Sequence, residues 1–399
     1  MMVIRSRASA ASTQSLSMQS LRTLTSLGAC VLLTVGCRDR ASARQEAPAA
    51  AASASERRIS SSEAGSGPRL VAVDSIRLSE PDTLFLGRPR DLAVDGLEGH
   101  LFVSDSYDDR VVEYDRNGTP LRVYGTRGGG PGEFSEIGGV FVDDSSVYAE
   151  DVGQRRLHVF RRADGSLERT VLTDGAVGSG AVAGGTLWLG VMDRAHGSAV
   201  TALGPDGVPR YIAPLPVEYT TSEPIAGIFT SSHVLVAGDT LVVALMAAPT
   251  IFVLDTSGTV RTSLTVPAAR RRGVPRDTVA AMARMKFPEM FGAVSALFRM
   301  GLLEQGRIGL VHYDQSISER TGSITAKIFL SVVDPARRRA CIDAPVPASP
   351  DAQPQVAFRG DTLFLLEQIV DGTNSTSVVR TFAVETDSCR WVEVDPPAR

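Results

Sequence analysis

Short runs of alternating apolar and polar residues recur along the chain, and between residues 87 and 171 one set of four runs occurs twice. The first set occupies residues 90–95, 100–105, 110–118 and 121–125, and the second occupies 139–143, 146–151, 156–165 and 167–171. Each run has the alternation of a half-buried strand, and most are closed by Asp or Gly. Four short strands repeated at a period of about fifty residues are typical of a β-propeller blade.

The same rhythm continues with weaker similarity and predicts four further blades. We assign blade three to residues 179–213, blade four to 233–264, blade five to 307–343 and blade six to 355–394. The tetrapeptide Gly-Asp-Thr-Leu at 238–241 and at 360–363 marks the same inner hairpin in blades four and six. A strand at 70–76 precedes blade one and is placed to close the ring beside the last blade, which would hide sheet edges. The predicted fold class is therefore all-β, a six-bladed β-propeller.

One segment, about 270–300, breaks this rhythm and predicts a helical insertion between blades four and five. Asp277 is a candidate N-cap for a first helix, and Pro288 suits the first turn of a second. One apolar stripe repeats at helical spacing: Phe287, Met290, Phe291, Val294, Leu297 and Phe298. The insertion either packs on the rim of the propeller or presents a partner surface. The candidate residues of that partner surface are Phe287, Met290, Phe291 and Phe298.

The first 37 residues have the pattern of a targeting segment rather than of a folded domain. Arg22 precedes an apolar stretch at 24–35, which is too short to span a bilayer but suits a signal-peptide core. The ending Leu-Thr-Val-Gly before Cys37 resembles the bacterial lipoprotein signal, in which the cysteine is acylated. Cys30 is the alternative acceptor, and secretion without a lipid is the alternative outcome. The resemblance implies an anchor at Cys37 on the periplasmic side of a bacterial envelope, with sorting to the outer membrane.

Residues 38–67 consist almost entirely of Ala, Ser, Arg, Glu and Gly. Such a segment buries too little apolar area to offset the entropy of ordering it, so we predict a flexible tether. The predicted domains are therefore a signal peptide at 1–37, a tether at 38–67 and a propeller at 68–399.

Charge and cysteine content change this picture only slightly. The formal net charge is −4, with acidic and basic residues interleaved, which does not favour nucleic-acid binding. Cys341 and Cys389 lie in the predicted propeller. An oxidising envelope favours a disulfide between them, whereas equivalent positions in successive blades would hold them too far apart. The sequence leaves this pairing open.

Candidate binding chemistry lies at the mouth of the central channel, near the innermost strands and the loops between second and third strands. The side chains that we place there are Arg90, Tyr107, Asp151 and Glu367. Asp151 has a simpler interpretation, shared with Asp105 and Arg110, as a hydrogen-bonding partner within the turns of its blade. Three of the five histidines, His196, His233 and His312, fall in blades three, four and five. If they converge, three imidazoles with an open position would hold a catalytic zinc.

The motifs of the first two blades resemble NHL repeats. The resemblance is carried by residues 89–95, 101–105, 109–115 and 128–134, and it covers about 88–165, roughly a fifth of the chain. It is similar in particular to the six-bladed propellers of bacterial envelope lipoproteins. Gly138-Gly139 and the residues after Asp151 depart from the usual NHL pattern. Some NHL-type lyases use a metal in the channel, which is what the resemblance implies for the histidine hypothesis.

These observations predict a lipid-anchored extracytoplasmic propeller that acts as a binding or scaffolding module. Its ligand is an unidentified protein or small molecule, and no cofactor is expected. A first alternative is a metal-dependent lyase or hydrolase with zinc or calcium at the channel mouth. A second alternative is a subunit of an envelope complex whose propeller presents a docking face. Function at this stage rests on fold analogy, which does not fix it.

Overall fold

The computed structural model describes residues 67–81, 84–266, 281, 284–285, 289–290, 294–317, 324–349, 354–371 and 374–394. The strands in chain order are β1 (Arg69–Arg77), β2 (Pro89–Val94), β3 (Leu101–Asp105), β4 (Arg110–Tyr114), β5 (Pro120–Tyr124), β6 (Thr126–Arg127), β7 (Glu133–Phe134), β8 (Ile137–Val142), β9 (Ser146–Asp151), β10 (Arg156–Arg161), β11 (Leu167–Leu172), β12 (Val177–Ala183), β13 (Thr186–Val191), β14 (Ser198–Leu203), β15 (Pro209–Pro214), β16 (Ser232–Ala237), β17 (Thr240–Leu245), β18 (Thr250–Asp255), β19 (Val260–Thr265), β20 (Ala296–Leu302), β21 (Ile308–Ile317), β22 (Ile324–Asp334), β23 (Arg339–Pro345), β24 (Gln355–Arg359), β25 (Thr362–Asp371), β26 (Asn374–Glu385) and β27 (Val392–Glu393). Two short helices, α1 (Val217–Thr221) and α2 (Glu223–Ile228), lie between β15 and β16. Single 3-10 turns occur at Val152–Gln154 and Glu304–Gly306.

These strands form six antiparallel sheets, and the predicted six-bladed propeller is confirmed. Blades one to four are the meanders β2 to β5, β8 to β11, β12 to β15 and β16 to β19. Blade five runs from β20 to β23 and gains β27 as a fifth strand, and blade six has the order β24-β25-β26-β1. The short strands β6 and β7 pair in parallel between blades one and two.

The first strand of every blade lies innermost, and these six strands surround the central channel. Each contacts the first strand of the next blade, in the order β2, β8, β12, β16, β20, β24 and back to β2. Because strand direction alternates within a blade, the loops between second and third strands and the blade-to-blade connections emerge at one face of the ring. We call this the hairpin face.

Closure of the ring joins the two ends of the domain. β1 pairs antiparallel with β26 from Arg69↔Glu385 to Arg77↔Val378, so the strand predicted before blade one completes blade six. From the sequence we extended blade six to residue 394, with 389–394 as its outer strand. The assignment of that outer strand is wrong. Because β1 occupies that position, the C-terminal residues turn back and β27 pairs with β23 of blade five.

The C-terminal return is held by a disulfide between Cys341 and Cys389, with 5.7 Å between their Cα atoms. Cys341 lies in β23 of blade five, and Cys389 precedes β27, which pairs with that strand. The argument that successive blades would separate the two thiols therefore does not apply, because both cysteines belong to the edge of one sheet.

The predicted second helix is wrong at its C-terminal half. Leu297 and Phe298 lie in β20, the innermost strand of blade five, where Leu297 pairs with His312 of β21 and Phe298 lies at the β-bulge. Residues 281, 289 and 290 are helical, and Phe287 and Phe291 lie outside the described residues. The helical stripe failed because a run of apolar residues fits a buried strand as well as a helix. The helices α1 and α2, between blades three and four, were not predicted.

Aromatic side chains fill the space between blades one and two. Phe102, Tyr124, Phe134 and Phe160 are all buried in one cluster. The rings of Tyr124 and Phe160 meet edge to face, with centroids 5.9 Å apart. Burying each such ring stabilises the fold by about 2–3 kcal/mol. The two blades with the clearest sequence repeat therefore share one of the largest aromatic cores.

Candidate functional site

The innermost strands of four blades carry a β-bulge near the centre of the channel. The register shifts lie at Pro89/Asp91 in β2, Ile137/Val140 in β8, Val177/Gly180 in β12 and Leu297/Arg299 in β20. A bulge inserts an extra residue and changes the direction of neighbouring side chains, and such features are frequent beside functional sites. Residues at these bulges line a cavity of about 100 Å³ at the centre of the ring.

A buried ion pair between Asp91 and Arg299 crosses this cavity from blade one to blade five. Asp91 Oδ2 also accepts a hydrogen bond from Val140 N of blade two at 2.9 Å. Arg299 Nε donates to Val356 O of blade six at 2.9 Å. Burial lowers the pKa of Arg299 to about 10, so the guanidinium stays charged at neutral pH. This one pair therefore connects four of the six blades.

Glu150 connects blades two and three through hydrogen bonds. Its Oε1 accepts a hydrogen bond from Val177 N at 2.7 Å, and its Oε2 accepts one from Gly139 N at 3.3 Å. Burial raises the pKa of this carboxyl group. A Cβ at Gly138 would lie 2.4 Å from Glu150 Oε2, so the double glycine that departs from the NHL pattern makes room for the carboxylate.

Blades three and four are joined by Ser179, whose Oγ accepts a hydrogen bond from Val234 N at 2.7 Å. The polar groups of the channel thus form their hydrogen bonds with neighbouring blades. The remaining space is large enough for a few ordered waters. The polar groups of this cavity therefore have a structural role, because they hold the inner strands of the blades in position.

The structure divides the four predicted channel-mouth residues into two pairs. Arg90 and Tyr107 are exposed, so both can contact a ligand. Asp151 is fully buried, accepts hydrogen bonds from Ser135 and forms an ion pair with Arg156 at 3.0 Å. Glu367 is also buried and forms an ion pair with Arg380. Asp151 and Glu367 therefore lie away from any accessible surface.

Asp105 and Asp151 occupy equivalent positions at the ends of β3 and β9 and fasten the segment that enters each blade. Asp105 accepts backbone hydrogen bonds from Gly87 and Arg88, at 3.2 and 2.6 Å. Burial raises the pKa of Asp151, but hydrogen bonds from Ser135 and Glu136 outweigh it and hold that pKa below its usual value. Their structural interpretation holds.

Arg110 does not bridge to Asp105 as we expected. Its Nη2 lies 2.9 Å from Asp108 Oδ2 and donates to Phe85 O. In blade two the equivalent Arg156 does make the expected bridge, with its Nε 3.0 Å from Asp151 Oδ2. The acidic neighbour Asp108 in the loop of blade one accounts for this difference.

The three histidines of the metal hypothesis lie in different surroundings. His196 is half exposed in the loop after β13, where its Nδ1 lies 2.7 Å from Asp193 Oδ2 and its ring stacks on Tyr211. His233 is buried in β16, and His312 is buried in β21 against Phe329. Within the described residues these three do not bring their ring nitrogens together as a ligand set. The metal-dependent alternative gains no support from this arrangement.

One group of possible ligands does occur in the described part of the chain, formed by Asp95, Glu98 and His100 on the opposite face. Its donor atoms are engaged with one another and with a cation. Asp95 Oδ2 lies 2.7 Å from Arg162 Nη2, and His100 Nδ1 lies 2.9 Å from Glu113 Oε1. An arginine within the group opposes a bound metal ion, so we interpret it as an ion-pair network between blades one and two.

The predicted partner surface on the insertion is not formed by the residues that the structure describes. Met290 is only 7% exposed and packs with Tyr219 and Phe229 in the core of blades three and four. Phe298 is half buried, and its ring centroid lies 4.8 Å from that of Tyr313. Phe287 and Phe291 lie outside the described residues. The alternative prediction, that the insertion packs on the rim of the propeller, describes Met290 better.

A different apolar surface lies on the hairpin face, where blades six and one meet. It consists of Phe85, Tyr107, Ile369 and Val370, which are 44%, 59%, 55% and 70% exposed. The rings of Phe85 and Tyr107 meet edge to face at 6.1 Å, and Gln368 Nε2 donates to Leu86 O at 2.7 Å. The neighbouring residues are therefore in direct contact across the two blades. We call these four residues the apolar surface.

The apolar surface is raised by a long hairpin. β25 and β26 of blade six have 10 and 12 residues, whereas β17 and β18 of blade four have 6 each. Ile369 and Val370 lie in the part of β25 that extends beyond the length of an ordinary blade. The sequence analysis found Tyr107 but missed the other three. The sequence feature that could have indicated Ile369 and Val370 is the length of the run at 362–371, which is longer than a strand of an ordinary blade such as β17.

Comparison with known proteins supports the fold. No family model matches the chain, and no curated protein matches it. A member of the DUF4221 family from Bacteroides vulgatus has a similar structure, with a TM-score of 0.59, 9% identity and coverage of 80% of this chain and 99% of that one. A protein of Bacteroides fragilis that is assumed to be exported has a TM-score of 0.54, 12% identity and coverage of 80% and 95%. At these identities the likeness shows the propeller fold alone, and the resemblance to NHL repeats stays a prediction.

No helix in the described part of the chain combines the length and the apolar composition that crossing a bilayer requires.

Proposed function

We propose that this protein is an exported propeller that binds a partner through the apolar surface on its hairpin face. The observation that carries the proposal is that exposed apolar side chains from two blades lie at one junction on the hairpin face. Four neighbouring apolar side chains, each more than two-fifths exposed, lie on two blades that are fixed to each other. Contiguous exposed apolar residues cost free energy in water and mark interaction sites in soluble domains.

Two observations support export. The Cys341–Cys389 disulfide belongs to an oxidising compartment, because cytoplasmic reductants keep such thiols reduced. A structural neighbour from Bacteroides fragilis is assumed to be exported. Both observations support export, whereas the lipid anchor at Cys37 and the periplasmic, outer-membrane location rest on the predicted leader at 1–37.

The anchor is tested by replacing its acceptor. A Cys37→Ala variant should lose incorporation of labelled palmitate and leave the membrane fraction, whereas Cys30→Ala should keep both. Loss of the label only in Cys30→Ala would move the anchor to the alternative site. Retention in both variants and in their double would exclude lipidation at either cysteine.

The binding role is tested by site-specific photo-crosslinking in the native host. A photoreactive side chain at Tyr107 and, separately, at Ile369 should yield the same adduct, because both residues belong to one surface. Val260, exposed at the start of β19 in blade four, is the matched control and should yield none. No adduct at 107 and 369, or the same adduct at all three positions, would contradict the proposal.

A further inference from the structure

The inner border of the apolar surface is cationic. Arg88 and Arg90 are both exposed and follow Phe85 along the chain toward the channel mouth. A Cβ at Gly87 would lie 2.3 Å from the ring of Tyr107, so that ring rests on the backbone beside Arg88. The two arginines therefore follow Phe85 on the hairpin face, beside the ring of Tyr107, and Gln368 of the β25–β26 hairpin contacts the same connection.

Three acidic residues near these side chains already have partners within the described part of the chain. Asp108 pairs with Arg110 at 2.9 Å, and Asp109 pairs with Arg127 at 2.8 Å. Glu80 accepts hydrogen bonds from Leu86 N and Ser377 N. In contrast, neither Arg88 nor Arg90 has a side-chain ion pair within the part of the chain that the structure describes. Arg88 and Arg90 therefore place positive charge beside the aromatic rings, and the charge of Arg90 also acts on the buried carboxyl group of Glu150.

We propose that the partner contributes an acidic protein segment whose carboxylates lie beside apolar side chains. The proposal rests on the proposed function and names the chemistry of its partner. A guanidinium presents a planar fork of donors that matches a carboxylate, and an exposed aromatic ring accepts apolar side chains. The apolar surface stands out on a raised hairpin, whereas small-molecule sites are concave, so a protein segment fits it better.

The test uses the full-length protein in detergent and a phage-displayed library of random linear peptides. Selected peptides should combine Asp or Glu with apolar residues, and their affinity should fall when sodium chloride rises from about 50 mM to about 500 mM. Arg88→Glu and Arg90→Glu should each weaken binding about tenfold, because each removes a charge-assisted contact. Arg116→Glu, an exposed arginine in the turn after β4 on the opposite face, should bind as the unmodified protein does.

Thermal unfolding of each variant separates loss of binding from loss of folding. Tyr107→Ala should also weaken the selected peptides, because it removes part of the apolar surface. Two results would contradict an acidic partner and leave the binding role intact. The first is a set of peptides that need Tyr107 but lack acidic residues, and the second is a set that needs Tyr107 but binds Arg88→Glu and Arg90→Glu as tightly as the unmodified protein. Peptides whose affinity is unchanged by Tyr107→Ala, Arg88→Glu and Arg90→Glu would contradict both proposals.

Discussion

At the scale of single residues, Arg299 joins the inner strands of several blades. Its guanidinium pairs with Asp91 in the channel and donates to Val356 O of blade six. Arg299→Met should destabilise the domain by about 3 kcal/mol, because it leaves the Asp91 carboxylate buried without its cation. The measurement is the free energy of unfolding in urea. The double variant with Asp91→Asn should lose less than the sum of the two single variants, and additive losses would contradict a coupled pair.

Glu150 gives the channel a dependence on pH. Burial raises its pKa in the folded state, so between the usual and the raised value the folded protein binds a proton that the unfolded chain does not. The contribution of Glu150 to stability therefore grows as the pH falls through this interval and is lost as the pH rises. The difference in unfolding free energy between the native protein and Glu150→Gln should become more favourable to the native protein from about pH 7 to about pH 4. Glu168→Gln, at an exposed position of β11, should show no such change, and equal slopes for both variants would contradict the assignment.

At the scale of elements, the disulfide decides how firmly β27 holds to blade five. It joins residues separated by 48 positions, and a loop of that length gives a stabilisation of about 4 kcal/mol in the chain-entropy model. The double variant Cys341→Ala and Cys389→Ala should therefore unfold at a lower temperature in calorimetry. Dithiothreitol should lower the melting temperature of the native protein toward that of the variant and leave the variant unchanged. A native protein insensitive to the reductant would contradict this role.

The same scale shows what the sequence could predict. Turn residues and alternation located the strands of blades one to four, because these strands are short and turns that contain Gly or Asp separate them. The assignment of 296–300 to a helix failed because these residues form β20, the innermost strand of blade five, and an apolar run has no period of its own. The site was recovered only at Arg90 and Tyr107. Phe85 lies far in sequence from Ile369 and Val370, and only ring closure brings their segments together.

At the scale of the whole molecule, the ring is closed by the strand that follows the predicted tether. β1 pairs with β26 along its length, so a chain that begins at Leu78 would leave β26 as an exposed edge and remove the outer layer of blade six. We expect that chain to aggregate and to lose cooperative unfolding in size-exclusion chromatography and calorimetry. A chain that begins at Gly67 is the matched control and should melt as the full-length protein does, because it keeps all of β1 and lacks only the predicted leader and tether. Equal behaviour of the two shortened chains would mean that the other strands hold the ring without β1, and a Gly67 chain as unstable as the Leu78 chain would show that the preceding residues belong to the fold.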